Sequence, residues 1–250
     1  MSGIAFITGA SSGFGRGFAL KLAADGYGVA LAARRVDRIE SLADEIRRGG
    51  GAAIACPCDV AEPSQIRDAV ARTESELGPV DLLIANAGVS DRTVVHSFDP
   101  YGVEWMTRVN YFGAVHAVGA VLPGMLDRDR GHLVAIGSLA GYRGLPRTAA
   151  YGASKAAVFN FFESLRIDLR GTGVDVTVIT PGYVRSEMTD KNAHTMPFLL
   201  EMDDAVDRMY RAIRARTPLL TYPRPLSTLA WFAQALPPRV YDWLAARQAR

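Results

Sequence analysis

Tyr151 and Lys155 stand four residues apart in Tyr151-Gly152-Ala153-Ser154-Lys155. On a helix that spacing puts a phenol and an ammonium on one face. A free tyrosine titrates near ~10, so at neutral pH only ~0.1% is phenolate, and populating that form costs ~4 kcal/mol. A neighbouring ammonium favours the phenolate. A tyrosine tuned in this way can take a proton from an alcohol or give one to a developing alkoxide. Spacing alone does not make a site, because Tyr and Lys at this interval often only share a helix surface. Ser138 adds to the case. It ends the apolar run His132-Leu133-Val134-Ala135-Ile136-Gly137, where its hydroxyl could hold a substrate oxygen beside Tyr151.

A second cluster could bind phosphate. Thr8-Gly9-Ala10-Ser11-Ser12-Gly13-Phe14-Gly15 lies between a strand-like run and a helical pattern. Glycines there allow a tight turn and a close approach of phosphate to backbone. The N–H groups of the helix start suit a pyrophosphate. At the end of the next strand the chain reads Ala32-Ala33-Arg34-Arg35. A carboxylate at that point would bond a ribose 2′-hydroxyl. Arg34 instead offers a guanidinium fork to a 2′-phosphate. The expected cofactor is therefore NADP(H) rather than NAD(H).

These residues need elements to position them. Continuous apolar runs at 3–7, 28–33, 52–56, 82–85, 131–137, 174–180 and 219–222 predict strands of a parallel sheet covered on both faces. Helical patterns fall near 14–25, 36–48, 63–77, 102–128, 152–170 and 203–215. The alternation predicts a doubly wound Rossmann-type α/β sheet of about seven strands in a single domain, with ligands at the carboxyl ends of the strands. The glycine turn, Arg34, Asp59, Asn86 to Gly88, Ser138 and Pro181-Gly182 all follow strands, so they converge on that edge.

With these motifs in place, the chain resembles the short-chain dehydrogenase/reductase family, in its single-domain type of about 250 residues. The similarity runs from Gly3 to about Met188. It implies a catalytic tetrad of Asn110, Ser138, Tyr151 and Lys155. Lys155 would also bind the nicotinamide ribose, and Asn110 would hold a water that links Lys155 to solvent. The implied cofactor contacts are Gly9, Ser11, Ser12, Gly13, Phe14, Gly15, Arg34, Arg35, Asp59, Val60, Asn86, Ala87, Gly88, Tyr151, Lys155, Pro181, Gly182, Val184 and Ser186. Among them Asp59 would accept from the adenine amino group, Asn86 would support the cofactor site, and Val184 would meet the carboxamide. The family also implies a homotetramer or homodimer packed through the helices near 102–128 and 152–170.

The substrate side is read from the residues. A lid near 186–202 carries Met188, Met196, Pro197, Phe198, Leu199 and Leu200. An apolar lid suits a hydrophobic carbonyl compound or alcohol. Ser138, Leu139, Met188, Met196 and Phe198 are the candidate substrate contacts, with His194 in reach. The tail, near 224–250, holds two apolar segments parted by Pro237-Pro238, with Trp231, Phe232, Tyr241 and Trp243 beside Arg224, Arg239, Arg247 and Arg250. Such a hairpin could lie on a membrane surface, cap the pocket or meet a second subunit. Internal or intersubunit packing is the expected role, since amphipathic helices usually cover a core.

Composition narrows the classes. A net charge of +2, from 28 basic and 26 acidic residues, leaves no broad footprint for nucleic acid. The four histidines lack metal-ligand spacing, so no catalytic metal is expected. Cys56 and Cys58 read as two small residues at a strand end. The opening residues lack a basic segment followed by a long apolar one, and no uninterrupted apolar stretch reaches bilayer length, so the expected location is the cytoplasm. A non-catalytic NADP-sensing protein would have no need of the tetrad. An epimerase or dehydratase on a related fold usually adds a substrate domain, for which the chain has little room.

Overall fold

The computed structural model describes residues 2–190 and 195–248. Seven strands form one sheet: β1 (Gly3–Thr8), β2 (Tyr27–Ala33), β3 (Ala53–Pro57), β4 (Leu82–Ala85), β5 (Gly131–Ile136), β6 (Val174–Pro181) and β7 (Leu219–Tyr222). Their order is β3-β2-β1-β4-β5-β6-β7, and every pair is parallel. The chain reverses its direction of winding between β1 and β4, which makes their carboxyl ends the switch point where such sheets take ligands. The predicted strands match within one residue at each end.

Strand side chains alternate between two cores. Ile4 and Phe6 of β1 enter one, and Ala5 and Ile7 enter the other. The first core is closed by α3 (Pro63–Glu76), α5 (Gly113–Asp127) and α6 (Ala149–Asp168), through Ile66, Val70, Val121 and Phe162. The second is closed by α1 (Gly13–Ala24), α2 (Val36–Arg48) and α7 (Met202–Arg214), through Phe18, Leu22, Leu42 and Met209. Burial of each large side chain of this kind contributes roughly 1.5–3 kcal/mol. Cys56 and Cys58 are both buried in the first core, and burial pushes their thiols up, Cys58 to about 12. They are structural residues.

Two expectations need correction in the middle of the chain. The helix expected over 102–128 is α4 (Pro100–Thr107), a π turn (Arg108–Phe112) and then α5. The π turn contains Asn110, whose tertiary hydrogen bonds are described below, and such turns often mark functional positions. Second, the helical run Pro100–Asp127 is long and apolar enough to cross a bilayer by length and composition, although the sequence reading found no such stretch. Here one side of it, Met106, Val109, Ala114, Ala117, Val121 and Met125, is buried. A core helix meets the same composition test for that reason.

Two further helices, α8 (Arg224–Ala235) and α9 (Pro238–Gln248), follow β7. No residue of α8 is buried.

Candidate active site

The switch point is tied together by two side chains. Thr8 Oγ1, at the end of β1, accepts from the backbone N–H groups of Asn86 and Ala87, each at 3.0 Å. Asn86 Nδ2 donates back to the carbonyls of Thr8 at 2.9 Å and Gly9 at 3.3 Å. Thr8 was part of the quoted motif, but its clamp role depends on β4 lying beside β1, which spacing does not reveal.

The glycine turn is built for close approach. Gly9 has φ +67°, and a Cβ there would lie 2.8 Å from Ala87 Cα. A Cβ on Gly15 would lie 2.4 Å from the Gly9 carbonyl oxygen. Gly13 faces open space, with only Met202 Cε near, at 3.7 Å from such a Cβ. Ser12 precedes α1 but its side chain does not cap it. The first N–H groups of α1 therefore keep the anion affinity of a helix start. This uncapped turn suits a dinucleotide pyrophosphate.

The two arginines after β2 diverge. Arg34 leans towards Asp59, with Nη1 and Oδ2 3.8 Å apart. Arg35 lies across the glycine turn: its Nε donates to Ser11 Oγ at 3.0 Å and its Nη2 to Ser12 Oγ. Arg35 Nη1 and Arg38 Nη1 both donate to the Glu187 carboxylate, at 2.9 and 2.7 Å. These bonds hold the Glu187 carboxyl below its ordinary range. Sequence reasoning singled out Arg34 and missed Arg38 and Glu187. The placement of Arg38 one helical turn beyond Arg34 was the available signal.

Asp59 Oδ1 accepts from the Ala61 N–H at 3.0 Å, which fixes the turn after β3. Val60 is buried against Gly113 at the start of α5. A Cβ on Gly88 would lie 3.3 Å from Asn110 Oδ1 and 3.4 Å from Lys155 Nζ, so the segment after β4 borders both side chains directly.

Asn110, Ser138, Tyr151 and Lys155 meet at the carboxyl edge. The Ser138 side chain lies beside the Tyr151 phenol. Burial pushes the phenol up, and the neighbouring Ser138 hydroxyl opposes the shift. Lys155 is 5% exposed, and its Nζ donates to the Ile136 carbonyl at 2.8 Å. Burial lowers its ammonium from 10.5 to about 8. Nζ lies 6.0 Å from the centre of the Tyr151 ring.

Asn110 is buried, and both of its amide hydrogens are engaged. Nδ2 donates to the Val89 carbonyl and to Ser154 Oγ, each at 2.9 Å, while Oδ1 accepts from the Val89 N–H at 2.7 Å. Its side chain thus ties the post-β4 segment to α6. The loop after β5 is held similarly. Ser138 Oγ accepts from the Ala140 N–H at 3.2 Å, and the Tyr142 hydroxyl meets Thr221 Oγ1 on β7 at 3.1 Å. Ser154 and Tyr142 were not foreseen. A hydroxyl three residues from Tyr151 gives no hint of its distant partner.

The substrate side is less closely gathered. Leu139 is buried, with Cδ1 3.3 Å from the position of a Cβ on Gly182. Pro181 and Val184 are buried. Val184 pairs with Leu200, which brings the two ends of the lid together. Ser186 turns inward on its own segment: its N–H donates to Thr189 Oγ1 at 2.9 Å. Met188 and Phe198 are exposed and Met196 half-buried, so the lid's apolar residues do not form a closed wall. His194 lies outside the described residues. Among the described residues no group of three or more His, Cys, Asp or Glu could hold a metal ion.

The sequence profile of the short chain dehydrogenase family matches residues 3–197. An uncharacterized oxidoreductase of Myxococcus xanthus is 43% identical over 98% of this chain and 97% of its own. An uncharacterized oxidoreductase of Mycobacterium tuberculosis is 37% identical over 94% of each chain. Among solved structures, a short chain dehydrogenase/reductase from Burkholderia phymatum, in complex with NAD, superposes with TM-score 0.87 at 26% identity and covers 93% of each chain. A 3-ketoacyl-ACP reductase from Sinorhizobium meliloti gives TM-score 0.81 at 27% identity, over 90% of this chain and 99% of that one.

Proposed function

This chain belongs to the short-chain dehydrogenase family, whose members are oxidoreductases that use a nicotinamide cofactor, and we propose that it interconverts a hydrophobic carbonyl compound and its alcohol with NADP(H). The observation that carries this reading is the Tyr151 phenol, beside Ser138 and with the buried ammonium of Lys155 6.0 Å from its ring centre. When bound, the nicotinamide supplies or receives the hydride. Ser138 holds the substrate oxygen. Tyr151 gives that oxygen its proton in reduction and removes it in oxidation. Lys155 lowers the cost of the phenolate and binds the ribose hydroxyls. Asn110 positions the segment after β4 against α6.

The preference for NADP(H) rests on Arg34, Arg35 and Arg38 around the end of β2, a strand that itself ends without a carboxylate; a 2′-phosphate would take the place that Glu187 holds on Arg35 and Arg38. The B. phymatum structure was solved with NAD, so the proposed preference draws its support from this chain's own arginines alone. The apolar lid supports a hydrophobic substrate. Exposed Phe112 on the π turn and Ile167 on α6 support assembly of copies through those helices.

The test is a panel of ketones, aldehydes and alcohols followed by NADPH absorbance and repeated with NADH. Tyr151→Phe is expected to keep NADPH binding and lose turnover by about a hundredfold or more. Unchanged turnover in that variant would refute the mechanism, and equal use of NADH would refute the cofactor preference.

A further inference from the structure

Within the single chain, the tail leaves much of its apolar side uncovered. In α8, Leu229, Trp231 and Phe232 are exposed, Trp231 at 64%. In α9, Val240, Trp243 and Leu244 are exposed, Trp243 at 56%. Val240, Trp243, Leu244 and Arg247 recur at helical spacing on one side of α9, and the Arg247 guanidinium stacks 3.6 Å from the Trp243 ring. The opposite side does the anchoring. Tyr241 donates its hydroxyl to the Gly144 carbonyl, and its ring lies 3.9 Å under the Arg143 guanidinium. Arg143 also donates to the carbonyls of Ala233 and Leu236. The helices are thus held to the loop that follows Ser138 while their aromatic sides face outward.

We propose that α8 and α9 seat this protein on an anionic lipid surface, with the substrate side of the active site beside the lipid. Charge selects this occupant. The tail carries Arg224, Arg239, Arg247 and Arg250 against the single acid Asp242, while the rest of the chain is slightly acidic. Among the described residues, none of the ion pairs engages Arg224, Arg239 or Arg247, and all three are exposed. A second copy packed symmetrically on this surface would set the arginines against themselves. Anionic headgroups neutralise them, and the exposed Trp, Phe and Leu side chains enter the boundary between headgroups and acyl chains. The attachment lies next to the chemistry, since Leu226 Cδ2 lies 3.0 Å from the position of a Cβ on Gly182, at the carboxyl end of β6.

The experiment is co-sedimentation of the full chain with phosphatidylcholine vesicles, with and without one quarter phosphatidylglycerol. Binding is expected only with the anionic lipid, weakening as salt is raised. The paired change Trp231→Ser with Trp243→Ser should weaken it at least tenfold, as should Arg239→Glu with Arg247→Glu, about what two lost arginine contacts imply. Both variants alter exposed side chains, so their melting temperatures and NADPH binding should match the parent. Light scattering supplies the second arm. Absence of anionic-vesicle binding, or binding that neither variant weakens, would overturn the proposal. So would a Trp variant that drops to a smaller oligomer while the parent ignores vesicles, since a second copy would then be the occupant.

Discussion

Asn110 Nδ2 donates to Ser154 Oγ at 2.9 Å, and Ser154 Oγ in turn donates to the carbonyl of Tyr151 at 2.8 Å. A buried amide in the π turn is thereby linked, through one hydroxyl, to the backbone of Tyr151. Both Asn110 and Ser154 are buried, so neither bond is easily replaced by water.

Removing that hydroxyl should be measurable in two ways. Ser154→Ala leaves a buried amide hydrogen unpaired, which costs about 1–3 kcal/mol. Denaturant midpoints should fall accordingly, and kcat should drop several-fold with cofactor affinity unchanged. Ser154→Thr, which keeps the hydroxyl, should restore much of kcat. A kcat that follows only the loss of stability, without rescue by Thr, would reduce Ser154 to a packing residue.

Lys155 gives a stability prediction with a defined sign. Its folded-state value is lowered from 10.5 to about 8 by burial. Below pH 8 the ammonium is charged in both states, and the fold bears the whole desolvation cost, about 3 kcal/mol. Between pH 8 and 10.5 the unfolded chain holds the extra proton, so this cost is relieved as pH rises. Lys155→Met should therefore abolish turnover yet melt higher than the parent at pH 7, and the gap should narrow towards pH 10.5. Thermal melts across that range check it.

The same lowered value shapes the activity profile. Carbonyl reduction needs the Tyr151 proton and the charge of Lys155, so kcat/KM should fall as pH rises through about 8. Lys155→Arg, which stays charged, should lose that limb while retaining part of the rate. Persistence of the limb in the Arg variant would assign it to another group.

Glu187 occupies the guanidinium groups proposed to take a 2′-phosphate. Glu187→Gln should tighten binding of 2′,5′-ADP a few-fold at low salt and leave NADH affinity unchanged. Arg35→Ala should weaken 2′,5′-ADP about tenfold or more. Calorimetric titration separates the two, and an Arg35→Ala variant that binds as the parent does would move the role back to Arg34.

His132 is a titration probe remote from the chemistry. It is buried in β5, with Nε2 2.8 Å from Thr177 Oγ1. Burial first, and then the charge of Arg216, lower it from 6.5 to about 4. The neutral form is the native one, so stability is complete above pH 6.5. It should fall by about 3 kcal/mol as pH drops to 4, because only the unfolded chain gains the proton in that window. His132→Gln should flatten this part of the stability curve.

The sheet and the clustering of the candidate site residues were legible in the sequence because each rests on local chemistry. Continuous apolar runs mark strands covered on both faces, and glycines mark a turn that no side chain could occupy. Tyr151 and Lys155 share a helical face by spacing alone. Residues whose meaning depends on a distant partner were not legible. Thr8 needs β4 beside it, Ser154 needs Asn110, and Arg35 needs the glycine turn before its direction means anything. The π turn was hidden because residues 102–128 read as one helix by pattern, and only the bonds from Asn110 to Val89 and Ser154 show what its altered phase serves.

The sequence by itself thus determined the family, the order of strands and helices along the chain, and the candidate pair Tyr151 and Lys155. Periodicity and residue type carry those properties along the chain. The tertiary structure alone decided which arginine crosses the glycine turn, how the Lys155 ammonium is shifted, and that the tail's aromatics face outward. Burial, charge pairing and exposure exist only once elements far apart in sequence are packed side by side.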